Sequence, residues 1–130
     1  MKRLVLIGLM FVLVLPCFAW GGDIDGLWWN PEFGTGGALM MRENAGTVLI
    51  ISLNLAQYGT AQGYDAFIGS KSGNIITVED TYFSTVDLNA TVTLTSTSTA
   101  IVKMNRCSPK YYGYFCPFPT GVTFNIEKAF

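Results

Sequence analysis

The chain has 130 residues, 50% of them hydrophobic, a net charge of −1 and no histidine. Without histidine, Ser-His-Asp and Cys-His catalytic arrangements are excluded, and a charge so near zero gives no basic footprint for DNA, RNA or an anionic lipid surface. The length suits one domain with a modest core.

Lys2 and Arg3 open the chain with positive charge, and Leu4 to Leu15 form an apolar run of 12 residues ended by Pro16. A helix of that length rises about 18 Å against a hydrocarbon core of about 30 Å. Residues 1–19 are therefore predicted to be a cleavable signal peptide rather than a membrane anchor. Cleavage is placed after Ala19, with Gly21 as second choice. A lipoprotein beginning at a lipidated Cys17 is the minor alternative, because Pro16 stands where such signals want a small residue. Residues 20–130 are then a single exported domain, periplasmic or secreted, with six basic and nine acidic side chains and a net charge of −3.

From Asp25 the chain alternates short β-type runs with turn residues. Leu27–Asn30 comes first, then Pro31 and the glycines Gly34, Gly36 and Gly37. Ala38–Glu43 and Thr47–Leu55 flank a turn at Asn44-Ala45-Gly46. Tyr64–Ile68 and Ile75–Phe83 flank Ser70–Asn74. Ala90–Thr95 and Ala100–Asn105 flank Ser96–Thr99, and Val122–Phe130 closes the chain. Strand starts at this spacing, with no apolar 3.6-residue period after the leader, predict an all-β fold. Short sequential connections favour an antiparallel meander of about eight strands, closing into a small barrel or a two-sheet sandwich. Val92 and Leu94 should face the core and the neighbouring threonines the solvent. Ile101 and Met104 do not keep strict alternation, which leaves the register of that strand open.

Cys107 and Cys116 are the only cysteines after the leader and are expected to form a disulfide. Two cysteines nine apart with no histidine cannot supply the ligands of a zinc site, so neither a metal nor a cofactor is expected.

The stretch Gly26-Leu27-Trp28-Trp29-Asn30-Pro31 resembles the opening of a bacterial family of uncharacterised exported β-meander domains, with its G-x-W-W-N-P strand. The resemblance continues through the glycine-rich turn Gly34 to Gly37, the hairpin strand Gly46 to Leu55, the threonine-rich stretch Ala90 to Met104 and the ending Ile126-Glu127-Lys128-Ala129-Phe130. Two features depart from it. Glu32–Gly37 stands where the family carries a second tryptophan turn, and Tyr64 and Phe67 stand where its central strands carry tryptophan. The resemblance implies a fold and an exported location, and no activity.

Trp28 and Trp29 are adjacent, so on a strand they point to opposite faces. One should anchor the core, while the other is either packed beneath the Gly34–Gly37 turn or exposed for stacking on a partner. A Gly-x-Trp strand also resembles the start of lipocalins and avidins. That implies at most one small hydrophobic ligand inside a barrel, in a cavity of a few hundred Å3 lined by residues such as Ile50, Leu53 and Phe67, and for a chain this short a filled core is the favoured alternative. Biotin is disfavoured, since no tryptophan follows Trp29.

The cysteines enclose Ser108-Pro109-Lys110-Tyr111-Tyr112-Gly113-Tyr114-Phe115. Tyr111, Tyr112, Tyr114 and Phe115 in a stapled loop are the leading candidates for binding a protein or a cell-envelope component, because tyrosines offer large contact area at low entropy cost. The competing reading folds these rings over one barrel end as a satellite core. Asp23-Ile24-Asp25-Gly26 opens like a calcium loop but lacks the later ligands, and is expected to be a solvated lead-in. Glu79 and Asp80 alternate across a strand and cannot converge as an acid–base pair without a bulge. A non-catalytic binding module is the first expectation. A carrier of a hydrophobic ligand, or a surface-assembly subunit using a free strand edge, is the alternative.

Overall fold

The computed structural model describes residues 23–31, 37–54, 63–79, 84–114, 116 and 118–130. The predicted signal peptide, Gly34, Gly36, Asp80 and Phe115 lie outside them.

The domain is a closed antiparallel barrel of eight strands in chain order. They are β1 (Gly26–Trp29), β2 (Gly37–Asn44), β3 (Thr47–Asn54), β4 (Gly63–Ser72), β5 (Ile75–Glu79), β6 (Val86–Leu94), β7 (Thr99–Pro109) and β8 (Thr123–Lys128). The expected meander is thus correct, and of the two closures it takes the barrel. β1 completes the ring by pairing Trp28 with Lys128 and Trp29 with Glu127. Among the described residues every strand has a neighbour on both sides, so none is a sheet edge over its whole length.

Alternation sorts the side chains. Trp28, Met41, Val48, Ile76, Val86 and Ile126 point inward and are among the most deeply buried large residues. On β6, Val92 is buried and Leu94 packs against the core, as their spacing predicts. On β7, Ala100, Val102 and Met104 keep the inward phase while Ile101 faces out. The irregularity falls one residue later, at a β-bulge: Ala90 pairs with Met104 but Asn89 pairs with Arg106, leaving Asn105 as the extra residue. Its amide Nδ2 donates to Asn89 Oδ1 and Thr91 Oγ1, both at 2.9 Å, which holds the bulge.

The two barrel ends differ. One is closed by tight connections at 45–46, 73–74 and 95–98; the other carries the long ones at 30–36, 55–62, 80–85 and 110–122. Ala45 and Gly46 both have positive φ (49° and 80°), as a two-residue type I′ hairpin requires.

The lead-in departs from expectation. Ile24 is only 1% exposed and packs in the core. Asp25 Oδ1 accepts the Glu43 N–H at 2.7 Å. Glu43 in turn pairs with Lys71 at 3.2 Å. An apolar residue between two aspartates is tucked under the barrel while its neighbours stay at the surface.

Gly26 explains the first letter of the opening motif. Its φ of 140° is unfavourable for any side chain, and an added Cβ would collide with the Phe130 carbonyl and stand 2.8 Å from Lys128 Cε. Gly26→Ala is expected to cost about 2–4 kcal/mol from backbone strain and overpacking, measured by denaturant unfolding. A cost below about 0.5 kcal/mol, the level of an ordinary surface change, would contradict this packing.

Candidate functional site: the open rim

The bulge at Asn105 has a geometric consequence. Inward phase on β7 runs Ala100, Val102, Met104, and without the extra residue it would fall on Arg106. With it, Cys107 pairs with Leu88, a buried inward residue, and Arg106 faces out to meet Asp87 at 2.7 Å. Cys107 is thereby aimed over the barrel mouth. It forms the expected disulfide with Cys116, Cα to Cα 5.9 Å, and both cysteines pack against the core.

The returning limb is tied back to β7. The Cys107 N–H donates to Thr120 Oγ1 at 3.0 Å, Gly121 N–H to the Met104 carbonyl at 2.7 Å, and Met104 N–H to the Val122 carbonyl at 2.9 Å. On the other side, Lys110 N–H donates to the Thr85 carbonyl at 3.0 Å. Thr85 is fixed by Asp65, whose Oδ1 accepts its N–H at 2.7 Å and its hydroxyl at 2.9 Å. The buried Ser84 hydroxyl donates to the Val86 carbonyl at 2.5 Å and accepts its N–H at 3.1 Å. A polar chain from β4 through residues 84–86 to residue 110 therefore braces the base of the loop.

Above this base the loop reverses. Tyr114 N–H donates to the Tyr111 carbonyl at 3.3 Å, and Gly113 has φ 90°, the positive value a type II turn places at its third residue. Tyr112 occupies the apex and is 105% exposed; Tyr111 and Tyr114 are exposed at 61% and 50%. Their two rings meet edge to face, centroids 6.1 Å apart at 66°. Among the described rings of the loop, these three do not form a satellite core.

Phe118, just beyond the disulfide, does the inward work. It stacks on buried Phe124 with centroids 4.4 Å apart. With Leu39, Ile50, Phe67 and Met104 it borders a partly open cavity of about 50 Å3. That volume admits a few waters and falls well below the roughly 300 Å3 at which ligand pockets begin. This cavity is smaller than the one a bound hydrophobic ligand would need. Leu53 does not line it: Val48 and Ile50 point inward, so Leu53, three positions on from Ile50, must face out.

The tryptophans separate as their adjacency requires. Trp28 is wholly buried, its Nε1–H donating to the Ile24 carbonyl at 2.9 Å. Trp29 is 39% exposed on the outer wall, with Ala38 and Glu127 as register partners, away from the tyrosine turn. Glu79 also faces out from β5. Among the described residues no group of three or more cysteine or acidic side chains could hold a metal ion, and no helix is long and apolar enough to cross a membrane.

Sequence reasoning missed Asp65, Thr85 and Phe118. Asp65 had a signal, since it is a charged residue at an inward position two before Phe67. Thr85 and Phe118 had none, because their roles depend on the loop returning across the barrel mouth.

The chain matches no protein-family model, no curated protein and no solved structure.

Proposed function

We propose that the chain is an exported, non-catalytic binding module whose contact surface is the tyrosine turn at the barrel rim, and that it recognises a protein or another cell-envelope component. The observation that carries this reading is Tyr112, which touches nothing of its own fold yet stands at the apex of a braced and disulfide-closed loop. A residue type chosen for stability would bury its ring. Three tyrosines at these exposures offer on the order of 400 Å2, about half of one partner's share of a standard protein interface. Pre-ordering by the disulfide and the Asp65–Thr85–Lys110 brace lowers the entropy cost of using them. Phe115, inside the same disulfide, belongs to the proposed surface by sequence. The disulfide fits an oxidising compartment and supports export through residues 1–19.

Replacing Tyr111, Tyr112 and Tyr114 together by alanine should leave unfolding stability within about 0.5 kcal/mol, since exposed rings contribute little to it. The same variant should lose capture of the partner from the cell envelope. Capture at wild-type level by a folded triple variant would exclude the turn. The carrier reading is disfavoured, because about 50 Å3 leaves no room for a ligand without moving Phe118.

A further inference from the structure

Away from the rim, the barrel wall is divided by chemistry. On β6, β7 and β8 the outward positions include Thr91, Thr93, Lys103, Asn125 and Glu127, with Ile101 standing singly among them. On β1 to β4 most of them are apolar. One cross-strand row reads Leu27, Met40, Ile51, Ala66. The next reads Arg42, Leu49, Ile68, Glu79. Leu49 and Ile68, at its centre, are 41% and 49% exposed. Toward the closed end the wall turns polar again with Asn44, Thr47, Ser70 and Thr77.

We propose that this wall is a homodimer interface, in which a second copy packs the same face about a two-fold axis parallel to the strands and lying between β3 and β4. The charge order carries the choice of occupant. The row Arg42, Leu49, Ile68, Glu79 reads plus, apolar, apolar, minus, and rotation about its midpoint sets Arg42 against the partner's Glu79 and Leu49 against the partner's Ile68. Both ion pairs form at once, as an isologous contact requires. Packed sheets lie about 10 Å apart at the contact, and because the barrel wall curves away at β2 and β5 the wider gap there is one for long, extended side chains such as Arg42 and Glu79 to bridge. Aligned sheets cross at about 30°, which shifts the row ends by about 4 Å, within the reach of the arginine.

A lipid surface fits less well, because its protein partners flank their apolar face with lysine and arginine rather than with one charge of each sign. With strands about 4.8 Å apart and rows about 6.8 Å apart, the face covers roughly 400 Å2. That is about half of one partner's share of a standard interface, so the dimer should be weak and reversible. The residues of this wall are on β1 to β5, and none belongs to the tyrosine turn.

Sedimentation velocity of the exported protein between roughly 1 and 200 μM, the range suited to an interface of this size, should show a monomer–dimer equilibrium. Leu49→Lys with Ile68→Lys, both at exposed positions, should keep the protein folded and monomeric throughout. Arg42→Glu alone should weaken association about tenfold, because it sets like charges together in two symmetric places. Adding Glu79→Arg should restore it to within about threefold, the pair being exchanged rather than lost. A monomer at every concentration would overturn the proposal, as would a dimer indifferent to the two lysines or a double exchange without recovery. A monomer that pelets with phosphatidylethanolamine–phosphatidylglycerol vesicles would assign the face to lipid instead. A monomer whose intact mass retains residues 4–15 would assign it to the chain's own leader.

Discussion

Trp28→Ala should lower the unfolding free energy by about 3–5 kcal/mol, the cost of emptying a large aromatic site in a core. Domains of this size are stable by only about 5–15 kcal/mol, so the variant is expected to be partly unfolded or close to it. Three roles coincide in this residue. Its ring is wholly buried at the centre of the core, and its indole N–H donates to the Ile24 carbonyl. It also lies on β1, a strand of four residues that joins β2 to β8 and closes the ring. Trp28→Phe keeps most of the volume but leaves the Ile24 carbonyl without its donor, and should cost about 1–3 kcal/mol. Trp29→Ala, on the outer wall, should cost less than about 1 kcal/mol. Urea unfolding followed by circular dichroism separates the three. Equal effects at Trp28 and Trp29 would contradict the inward and outward assignment.

Removing the disulfide, by Cys107→Ser with Cys116→Ser, should cost about 2.5–3 kcal/mol on the chain-entropy estimate for a ten-residue loop. The local effect should be larger than the global one. Cys107 and Cys116 hold the base of the tyrosine turn, and Phe118 follows two residues after the second cysteine. Without the bond the turn samples many conformations, so binding through the tyrosines should weaken at temperatures where the barrel is intact. The check is denaturant unfolding with and without reductant, alongside partner capture under both conditions. A reduced protein with unchanged stability and unchanged capture would deny the disulfide both roles.

Much of the fold was legible because turn residues and two-residue alternation are local signals. Val92 and Leu94 could be set inward from five residues of sequence, and the turn at Ala45-Gly46 from its glycine. The register of β7 was not legible. Ile101 and Met104 looked like broken alternation, whereas the phase holds through Met104 and the extra residue is Asn105, stabilised by Asn89 and Thr91 on the neighbouring strand. That bulge decides where Cys107 points, so the disulfide could be paired from sequence but not placed over the barrel mouth. Which tryptophan is buried was equally closed to inspection, since strand parity gives opposite faces without naming the inner one. Ile24 was readable in hindsight: a lone isoleucine between Asp23 and Asp25 needs a reason, and burial under the barrel supplies it.

A photo-crosslinking amino acid at position 112 tests most directly whether the apex of the tyrosine turn meets a partner. Position 125, an exposed asparagine on the polar wall of β8, is the control. Irradiation of producing cells should give a discrete crosslinked species from position 112 and none from position 125. Crosslinks from neither position, or from both alike, would contradict the assignment of this loop as the contact surface.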